Sequence, residues 1–296
     1  MGVPVWGYYP AVPTRFVLTL SCPDRPGIVA AVASTLANLG ANILESQQFD
    51  DPRTGRFFMR VLVEPVAGET IEQADLHGAV AAVGKRFDMD FQLRRADAPY
   101  RTILMVSKFG HCLNDLLFRW RNSGINMDVA AVVSNHPDLE PLVASYGVAY
   151  YHIPVTPDTK SEAESRLLSL VDELDVDLVV LARYMQILSD ELTARMSGRI
   201  INIHHSFLPS FKGAKPYHQA YERGVKLVGA TAHYVTADLD EGPIIEQDAI
   251  RVDHRMTPED LVRAGEECEE RVLAHALRWH CESRVLLAGD RTVVFS

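Results

Sequence analysis

Short apolar segments alternate with helical segments through the later part of the chain. Four of them read as β-strands, at residues 102–106, 127–133, 149–153 and 177–182, and a fifth, at 199–203, ends on polar side chains. Strands that are apolar on both faces and separated by helices are typical of a parallel sheet covered by helices on both sides. The sequence therefore predicts a Rossmann-like α/β domain with a mostly parallel sheet, whose ligands bind at the carboxyl ends of the strands.

The earlier part of the chain has a different order of elements. Extended segments and helical segments alternate as βαββαβ, with strands at 15–20, 42–49, 56–63 and 87–93 and helices at 26–40 and 71–84. This order is that of the ferredoxin-like arrangement. A polar, proline-containing stretch at 94–100 follows, after which the pattern changes. We therefore predict an α/β protein of two domains, one at residues 14–97 and the other at residues 101–296.

Two helix starts are marked by side chains that suit a helix N-terminus. Ser161 and Glu164 have the spacing of a capping box, which predicts a helix that ends near residue 174. Thr257 and Pro258 begin a helical segment that ends near residue 278, and a hairpin around Gly289 is expected after it.

The composition limits the partners that this chain can have. Its 296 residues carry a net charge of -10, whereas binding to nucleic acid or to an anionic membrane needs an excess of Lys and Arg. The four cysteines have no metal-ligand spacing, so no zinc site is expected and a reducing compartment fits best. The sequence shows neither a signal-peptide pattern nor an apolar stretch long enough to span a bilayer. We expect a cytoplasmic protein that acts on a small molecule, with no nucleic-acid or membrane partner.

The strand at 199–203 ends in two side chains that are suited to catalysis. Asn202 and His204 lie two residues apart, so both project to the same side of a strand, where an amide donor and a proton acceptor can share one reacting group. The structural alternative is that His204 ends the strand and Asn202 holds a turn. A later strand contains His233 and leads to Asp240. The structural alternatives are that His233 is a packed strand residue and that Asp240 is an ordinary acidic residue of a turn.

The turn after the first apolar strand carries no nucleotide-binding signature. Residues 107–113 contain one glycine and match neither the dinucleotide fingerprint nor a phosphate-binding P-loop. His111 beside Cys112 suits a base and a thiol nucleophile, but adjacent residues seldom face each other and cysteine is mostly a small buried residue. We therefore expect neither a bound nucleotide nor thiol catalysis.

The segment LSCPDRPGIVAAVASTLANLGANI, at residues 20–43, resembles the opening of an ACT domain. The resemblance implies a regulatory module that pairs with a copy from another subunit, so that the protein is a homo-oligomer. It also implies an amino-acid effector, glycine or methionine, bound near the loop of Asp24, Arg25, Pro26 and Gly27. The alternative is a module that only holds subunits together, with Asp24 and Pro26 starting a helix.

Two motifs in the later part of the chain resemble those of the folate-dependent formyltransferases. They are N-x-H-x-S-x-L-P-x-F-x-G at residues 202–213 and H-x-V-x-x-x-L-D-x-G-P-I-I at residues 233–245. The resemblance implies that 10-formyltetrahydrofolate is the formyl donor and that Asn202, His204 and Asp240 are catalytic. Asn202 then stabilises a tetrahedral oxyanion, His204 transfers protons and Asp240 orients the imidazole or a water. Neither a metal nor a cofactor beyond the folate substrate is implied.

The segment at 181–188 resembles the folate-binding loop of the same family. The resemblance implies folate contacts by Leu181, Arg183, Tyr184, Met185, Gln186, Ile187 and Leu188, together with His233 and Asp238. Gln186 stands where the transferases commonly have Arg. The alternative is a strand-to-helix connection in which Met185 and Ile187 are packed.

Departures from the transferase pattern concern the acceptor of the formyl group. Residues 108–112 replace the glycine-rich phosphate loop of the ribonucleotide transferases, and His205 stands where they tend to have Pro or Ala. The run at 204–235, with an ACT module before it, is similar to the formyltetrahydrofolate deformylases. This implies hydrolysis of 10-formyltetrahydrofolate to formate and tetrahydrofolate, a reaction that supplies formate for purine biosynthesis and balances one-carbon folate pools. The alternatives are transfer to a small amine such as glycinamide ribonucleotide, and a sensor without catalysis.

Overall fold

The computed structural model describes residues 14–208 and 216–296. The chain divides after Ala98 into two compact units, and each is described by itself. Two of the sequence-based expectations lie outside the described residues. They are the lack of a signal peptide, which concerns the first 13 residues, and the motif positions at 209–213.

The first unit contains an antiparallel sheet of four strands and two helices. Its elements in chain order are β1 (Phe16–Pro23), α1 (Ile28–Asn38), β2 (Ala41–Asp51), β3 (Arg56–Pro65), α2 (Gln73–Phe87) and β4 (Asp90–Arg95). The strands lie in the order β2-β3-β1-β4, and each neighbouring pair is antiparallel. The predicted ferredoxin-like βαββαβ order is confirmed.

The core of this unit explains one wrong boundary. The prediction that the last strand starts at residue 87 is wrong, because Phe87 ends α2 and is buried on the same helix face as Leu76 and Val80. Asp88 then adopts a left-handed conformation, with φ 56°, and ends the helix before β4 begins. The alternation of apolar and polar residues at this point continues across the junction, so it hides the change from helix to strand.

The second unit has one large sheet with helices on both faces. Its elements in chain order are β5 (Tyr100–Val106), α3 (His111–Arg121), β6 (Met127–Ser134), α4 (Glu140–Ser145), β7 (Tyr150–His152), α5 (Lys160–Glu173), β8 (Leu178–Leu181), α6 (Asp190–Arg195), β9 (Ile200–His204), α7 (Pro216–Arg223), β10 (Leu227–Tyr234), β11 (Ile244–Arg251), α8 (Pro258–Cys281), β12 (Val285–Ala288) and β13 (Arg291–Val294). The last two strands form the predicted terminal hairpin.

Strand order predicts a crevice where the chain changes direction, between the carboxyl ends of β5 and β8. The seven-stranded sheet has the order β11-β10-β9-β8-β5-β6-β7, and its strands from β9 to β7 are parallel, whereas β10 and β11 are antiparallel to their neighbours. The chain builds β6 and β7 on one side of β5 and then returns to build β8 and β9 on the other. Such a change of direction opens a crevice above the strand ends. The mostly parallel sheet predicted from the apolar strands is confirmed.

Alternate residues of the central strands enter two separate cores. Leu104 of β5 and Val180 of β8 pack with α3 and α8, while Ile103 and Val179 pack on the other face with α5. Burial on both faces is why these strands are almost continuously apolar. Of the helices that the described ranges contain, none combines the length and the apolar character needed to cross a membrane.

The two predicted helix caps have different outcomes. At the start of α8, Thr257 Oγ1 accepts a hydrogen bond from Asp260 N, and the Asp260 carboxylate accepts one from Thr257 N, which completes a capping box. The capping box predicted at Ser161 is wrong, because the N-cap residue of α5 is Thr159, two residues earlier, and the helix begins at Lys160. Glu164 is used elsewhere and accepts a hydrogen bond from the backbone of Ser189.

The contrast between these two sites gives a stability prediction. We expect Thr257→Ala to lower the free energy of unfolding by about 1 kcal/mol, because the replaced hydroxyl caps α8. Ser161→Ala serves as the matched control and should change it by less than about 0.5 kcal/mol, because Ser161 is exposed and caps nothing. Urea denaturation of both variants measures the difference, and equal losses would contradict this assignment of the caps.

Candidate active site

A cavity opens at the carboxyl ends of β8 and β9, beside the end of β10. Its volume is about 230 Å³, which holds several water molecules at about 30 Å³ each. Every residue that the sequence predicted to be catalytic or to contact folate lines it: Leu181, Arg183, Tyr184, Met185, Gln186, Ile187, Leu188, Asn202, His204, His233, Asp238 and Asp240. The structure thus brings together residues from three strand ends and two loops.

His204 is held by a carboxylate on one ring nitrogen and is without a partner on the other. Its Nδ1 lies 3.2 Å from Asp240 Oδ1. Burial raises the pKa of Asp240, but the hydrogen bond from His204 and the charge of the neighbouring imidazoles outweigh burial and bring the pKa below its usual value. An ionised carboxylate only accepts, so Nδ1 carries the proton. His204 Nε2, which is buried and has no hydrogen-bond partner within the described residues, is then a free basic atom.

Asn202 is oriented by the neighbouring strand. The register of β9 and β10 places it opposite His233, and Asn202 Nδ2 lies 3.2 Å from His233 Nε2. His233 Nδ1 lies 2.9 Å from the Tyr234 carbonyl oxygen, so Nδ1 donates and Nε2 accepts from the Asn202 amide. Burial lowers the pKa of His233, which favours this neutral form. The second N–H of the amide has no partner within residues 14–208 and 216–296 and can bind a ligand.

The loop that carries Asp240 needs the glycine that follows it. A side chain on Gly242 would place its Cβ 1.8 Å from the Tyr234 carbonyl oxygen, a distance that no packing allows. Tyr234 N in turn donates to the Pro243 carbonyl oxygen at 2.9 Å. Asp240 itself has φ 57°, a left-handed conformation that Asp adopts more readily than most residues. The Gly-Pro pair of the motif therefore sets the approach of Asp240 to His204.

The loop after β8 is supported by two polar residues at neighbouring strand ends. Ser107 N donates to the Arg183 carbonyl oxygen at 3.2 Å, and Met185 N donates to Ser107 Oγ at 3.0 Å. Ser107 Oγ donates in turn to Asn135 Oδ1 at 2.7 Å, and both residues are buried. Neither was singled out from the sequence. The signal was their position, because Ser107 and Asn135 each come directly after a strand.

The side chains of this loop do not pack as a structural connection would require. Met185 and Ile187 are 51% and 60% exposed, so the alternative in which both are packed is wrong. Leu239, at 56% exposure, lines the same cavity. Tyr184 differs, since it is largely buried, and burial raises its pKa to about 12 and keeps it uncharged. The cavity thus has an apolar rim, which suits a flat ring system.

The predicted effector loop lies in the first unit. Asp24, Arg25, Pro26 and Gly27 are all exposed between β1 and α1. Gly27 has φ 95° and is the N-cap residue of α1, with no side-chain cap. Arg25 donates to the Arg86 carbonyl oxygen at 2.7 Å. The alternative that Asp24 caps this helix therefore has no support in the contacts.

Thiol catalysis by Cys112 is not supported by its surroundings. Cys112 is fully buried, and burial together with the charge of Glu269 raises its pKa well above the usual value. His111 Nε2 lies 2.8 Å from Glu269 Oε2 and so is engaged with the carboxylate.

Comparison with known proteins agrees with both units. Residues 100–277 match the formyl transferase family, and residues 16–86 match the ACT domain family. A formyltetrahydrofolate deformylase from Corynebacterium sp. (strain P-1) is 53% identical over 95% of this chain and 98% of its own length. The crystal structure of a formyltetrahydrofolate deformylase from Burkholderia mallei superposes with a TM-score of 0.92, at 49% identity over 96% of this chain and 100% of that one.

The fold and the cavity define a formyl transferase domain that follows an ACT domain. The crystal structure of a glycinamide ribonucleotide transformylase from Symbiobacterium toebii is a more distant match, with a TM-score of 0.64, 34% identity and coverage of 69% of this chain and 98% of that one. The chain belongs to the formyltetrahydrofolate deformylase family.

The hydrogen bonds of His233 lead to a prediction about pH. We expect ¹⁵N NMR to show His233 as the neutral imidazole with its proton on Nδ1, and to show it still neutral below pH 6.5, because burial lowers its pKa. Since the unfolded chain gains this proton near pH 6.5, the contribution of His233 to the free energy of unfolding should fall as the pH drops below about 6.5.

The variant Asp240→Asn tests the contribution of the Asp240 charge to the pKa of His233. The Asp240 charge favours the protonated imidazole, so its removal should lower the pKa of His233 further. Protonation of His233 at or above pH 6.5 in the unsubstituted protein would contradict the assigned hydrogen bonds.

Proposed function

We propose that the chain hydrolyses 10-formyltetrahydrofolate to formate and tetrahydrofolate. The observation that carries the proposal is His204, whose Nδ1 is held by Asp240 while its buried Nε2 is free within the cavity. A free imidazole nitrogen that is oriented by a carboxylate is suited to take a proton from water at neutral pH. The names of the relatives support the same substrate.

The reaction needs three events at the formyl group. His204 Nε2 takes a proton from water as the water oxygen attacks the formyl carbon, which gives a tetrahedral oxyanion. The bond from that carbon to N10 then breaks, its electron pair goes to N10, and the proton on His204 passes to N10. The products are tetrahydrofolate and formic acid, which ionises to formate.

Asn202 is assigned to the oxyanion. Its amide donates one N–H to His233, while the other has no partner among the described residues, so the group is oriented before the substrate arrives. A fixed donor of this kind contributes about 10² to 10³ in rate. Asp240 holds the imidazole tautomer and stabilises the positive charge that His204 carries between the two proton transfers. His233 positions Asn202.

The folate substrate is assigned to the loop after β8. Backbone groups of this loop, which Ser107 and Asn135 hold in place, are suited to the donors and acceptors of a pterin ring. Met185, Ile187 and Leu239 supply apolar contacts at the rim, and Gln186 and Asp238 are further polar groups of the cavity. The reaction balances with water alone, so the proposal includes neither a metal nor a further cofactor.

The acceptor of the formyl group separates this proposal from transfer to an amine. We expect the purified chain, given 10-formyltetrahydrofolate in an amine-free buffer, to release formate and tetrahydrofolate in equal amounts. A coupled formate assay measures the release. Release that requires an added amine such as glycinamide ribonucleotide would contradict hydrolysis and support a transferase.

Substitutions at the reacting groups test their roles. We expect His204→Asn to lower kcat by about 10² to 10⁴ and Asn202→Ala by about 10² to 10³, since both act on the transition state. His254→Asn, at an exposed histidine outside the cavity, is the matched control and should behave as the unsubstituted chain does. If His204→Asn retained full turnover, the catalytic assignment would be refuted, and folate binding with no turnover in the unsubstituted chain would indicate a sensor.

The ACT unit is proposed to make the enzyme a homo-oligomer that responds to glycine or methionine near Asp24, Arg25, Pro26 and Gly27. Exposure of this loop supports a ligand there. Strand β2, 11 residues long, lies at an edge of its four-stranded sheet. Edge strands are suited to pairing with another chain. The four buried free thiols accord with a cytoplasmic location.

Effector control gives a further measurable outcome. We expect glycine or methionine to change kcat/KM for formate release by about 5-fold or more, a typical coupling between two sites. Sedimentation should show more than one chain in each particle. Activity that neither amino acid changes would contradict an effector role, and a monomer would contradict pairing through the ACT unit.

A further inference from the structure

Glu269 of α8 is a fully buried carboxylate that the proposed reaction does not use. It is 0% exposed. His111 Nε2 donates to its Oε2 at 2.8 Å, Tyr217 OH donates to its Oε1 at 2.7 Å, and Arg183 Nε lies 3.5 Å from Oε2. We call these four residues the Glu269 cluster. Burial raises the pKa of Glu269, but the hydrogen bond from His111 and the charge of Arg183 outweigh burial and hold its pKa below the usual value, so the carboxylate is ionised.

Arg183 connects this cluster to the catalytic cavity. It lines the cavity, yet it is only 9% exposed and directs its guanidinium toward Glu269. Its backbone has φ 66°, a left-handed conformation that is unfavourable for a non-glycine residue. Its Nε and Nη1 are buried without a hydrogen-bond partner in the described part of the chain. A strained and incompletely bonded arginine is costly to maintain, which argues for a role beyond stability.

Helix α8 is shaped to receive Tyr217. Gly265 lies one turn before Glu269, and a Cβ there would fall 2.1 Å from Tyr217 Cζ. Tyr217 therefore packs in the space left by the missing side chain at Gly265, and its hydroxyl donates a hydrogen bond to the Glu269 carboxylate. Two separate features of α8 thus fix one side of the cluster.

His205 lies between the cluster and the reacting groups. Its ring centroid is 5.2 Å from that of His204 and 6.4 Å from that of Tyr217, and it lines the cavity beside Arg183. Burial, followed by the charge of Arg183, lowers the pKa of His205 to about 4. At neutral pH it is an uncharged imidazole that can hydrogen-bond a water but adds no charge next to His204.

The same groups can be considered as a metal site. Ligand atoms of His111, Cys112 and Glu269 lie within 4.8 Å of one another. Arg183 already provides a positive charge beside the carboxylate, and burial with the Glu269 charge raises the pKa of Cys112, which keeps the thiol protonated. These neighbours favour a cluster of protein groups over a cation.

We propose that Arg183 and His205, held by Glu269 and Tyr217, form a filled wall that restricts the acceptor of the formyl group to water. A water molecule has no heavy atom besides its attacking oxygen. An amine carries a substituent on its attacking nitrogen, and that substituent needs further space in the cavity. Among the described residues, Arg183 and His205 line the same cavity as His204 and connect it to Glu269 and Tyr217, so we assign to them the space that such a substituent would need. The inference rests on the proposed hydrolysis and assigns its specificity to positioning residues that do not themselves react.

Opening the wall should allow an amine to react. In that reaction the amine nitrogen attacks the formyl carbon, the bond from that carbon to N10 breaks with its electron pair going to N10, and the proton lost by the amine passes through His204 to N10. The products are tetrahydrofolate and an N-formyl amine. Glycinamide is a suitable probe, because its formyl product and formate are both quantified by mass spectrometry after subtraction of the enzyme-free rate.

The main variant is Arg183→Gly combined with Glu269→Gln. Glycine suits φ 66°, and the double change leaves no unpaired buried charge. We expect the ratio of formylglycinamide to formate to rise at least about 10-fold, with kcat for formate release lowered. Arg166→Ala with Glu173→Gln removes an exposed Arg–Glu pair of the same unit, 2.8 Å apart, and is the matched control.

His205→Ala shortens the wall without touching the buried pair, so it tests the inference even if the double variant does not fold. It should raise the same product ratio. An unchanged ratio in His205→Ala would overturn the inference, as would an unchanged ratio in a folded double variant. If the unsubstituted chain releases no formate, the proposed function itself fails. If it releases formate and the ratio stays constant across the variants, only the role of the wall is refuted.

Discussion

The backbone of Tyr234 is the constraint on which the arrangement of Asn202, His204 and Asp240 depends. Its carbonyl oxygen accepts from His233 Nδ1 and thereby leaves His233 Nε2 to accept from the Asn202 amide. The same carbonyl oxygen leaves no room for a side chain on Gly242, and the Tyr234 N–H donates a hydrogen bond to the Pro243 carbonyl oxygen. One residue at the end of β10 therefore orients the Asn202 amide and also positions the loop that brings Asp240 to His204.

This constraint acts within a sheet whose topology supplies the remaining groups. The return of the chain to the other side of β5 places the ends of β8 and β9 at one crevice, and the antiparallel β10 adds His233 opposite Asn202. Ser107 and Asn135, at the ends of β5 and β6, hold the loop assigned to folate. The groups proposed for proton transfer and oxyanion stabilisation thus both lie on β9, and those proposed for substrate contact come mainly from the loop after β8.

The sequence predicted most of the fold because its strongest signals are local. Apolar strands that enter two cores are recognisable from composition alone, and so is the polar pair Asn202 and His204 at a strand end. Strand β11 was not recognised, because it is an edge strand with half of its residues polar and exposed or partly exposed. The prediction of a capping box at Ser161 is wrong for another reason: the spacing of the motif is present, but the N-cap of the helix is Thr159, two residues earlier.

Contacts between distant residues were beyond sequence reasoning. Arg183 and Glu269 are far apart in the chain. The residues around Arg183 do not indicate its left-handed backbone, and those around Gly265 do not indicate that Tyr217 packs against it. The His111–Cys112 pair shows the same limit, since the partner of His111 is a carboxylate on α8 and not the adjacent thiol. Such contacts can be identified only from the packed structure. They form the proposed wall next to the His204 imidazole.

Water as the formyl acceptor is the central claim, and isotope incorporation tests it most directly. One oxygen of formate comes from the formyl group and the other from the nucleophile. When the full-length protein acts on 10-formyltetrahydrofolate in H₂¹⁸O, mass spectrometry should show formate that contains one ¹⁸O atom. Formate without ¹⁸O, or consumption of the folate without formate, would contradict direct attack by water activated at His204.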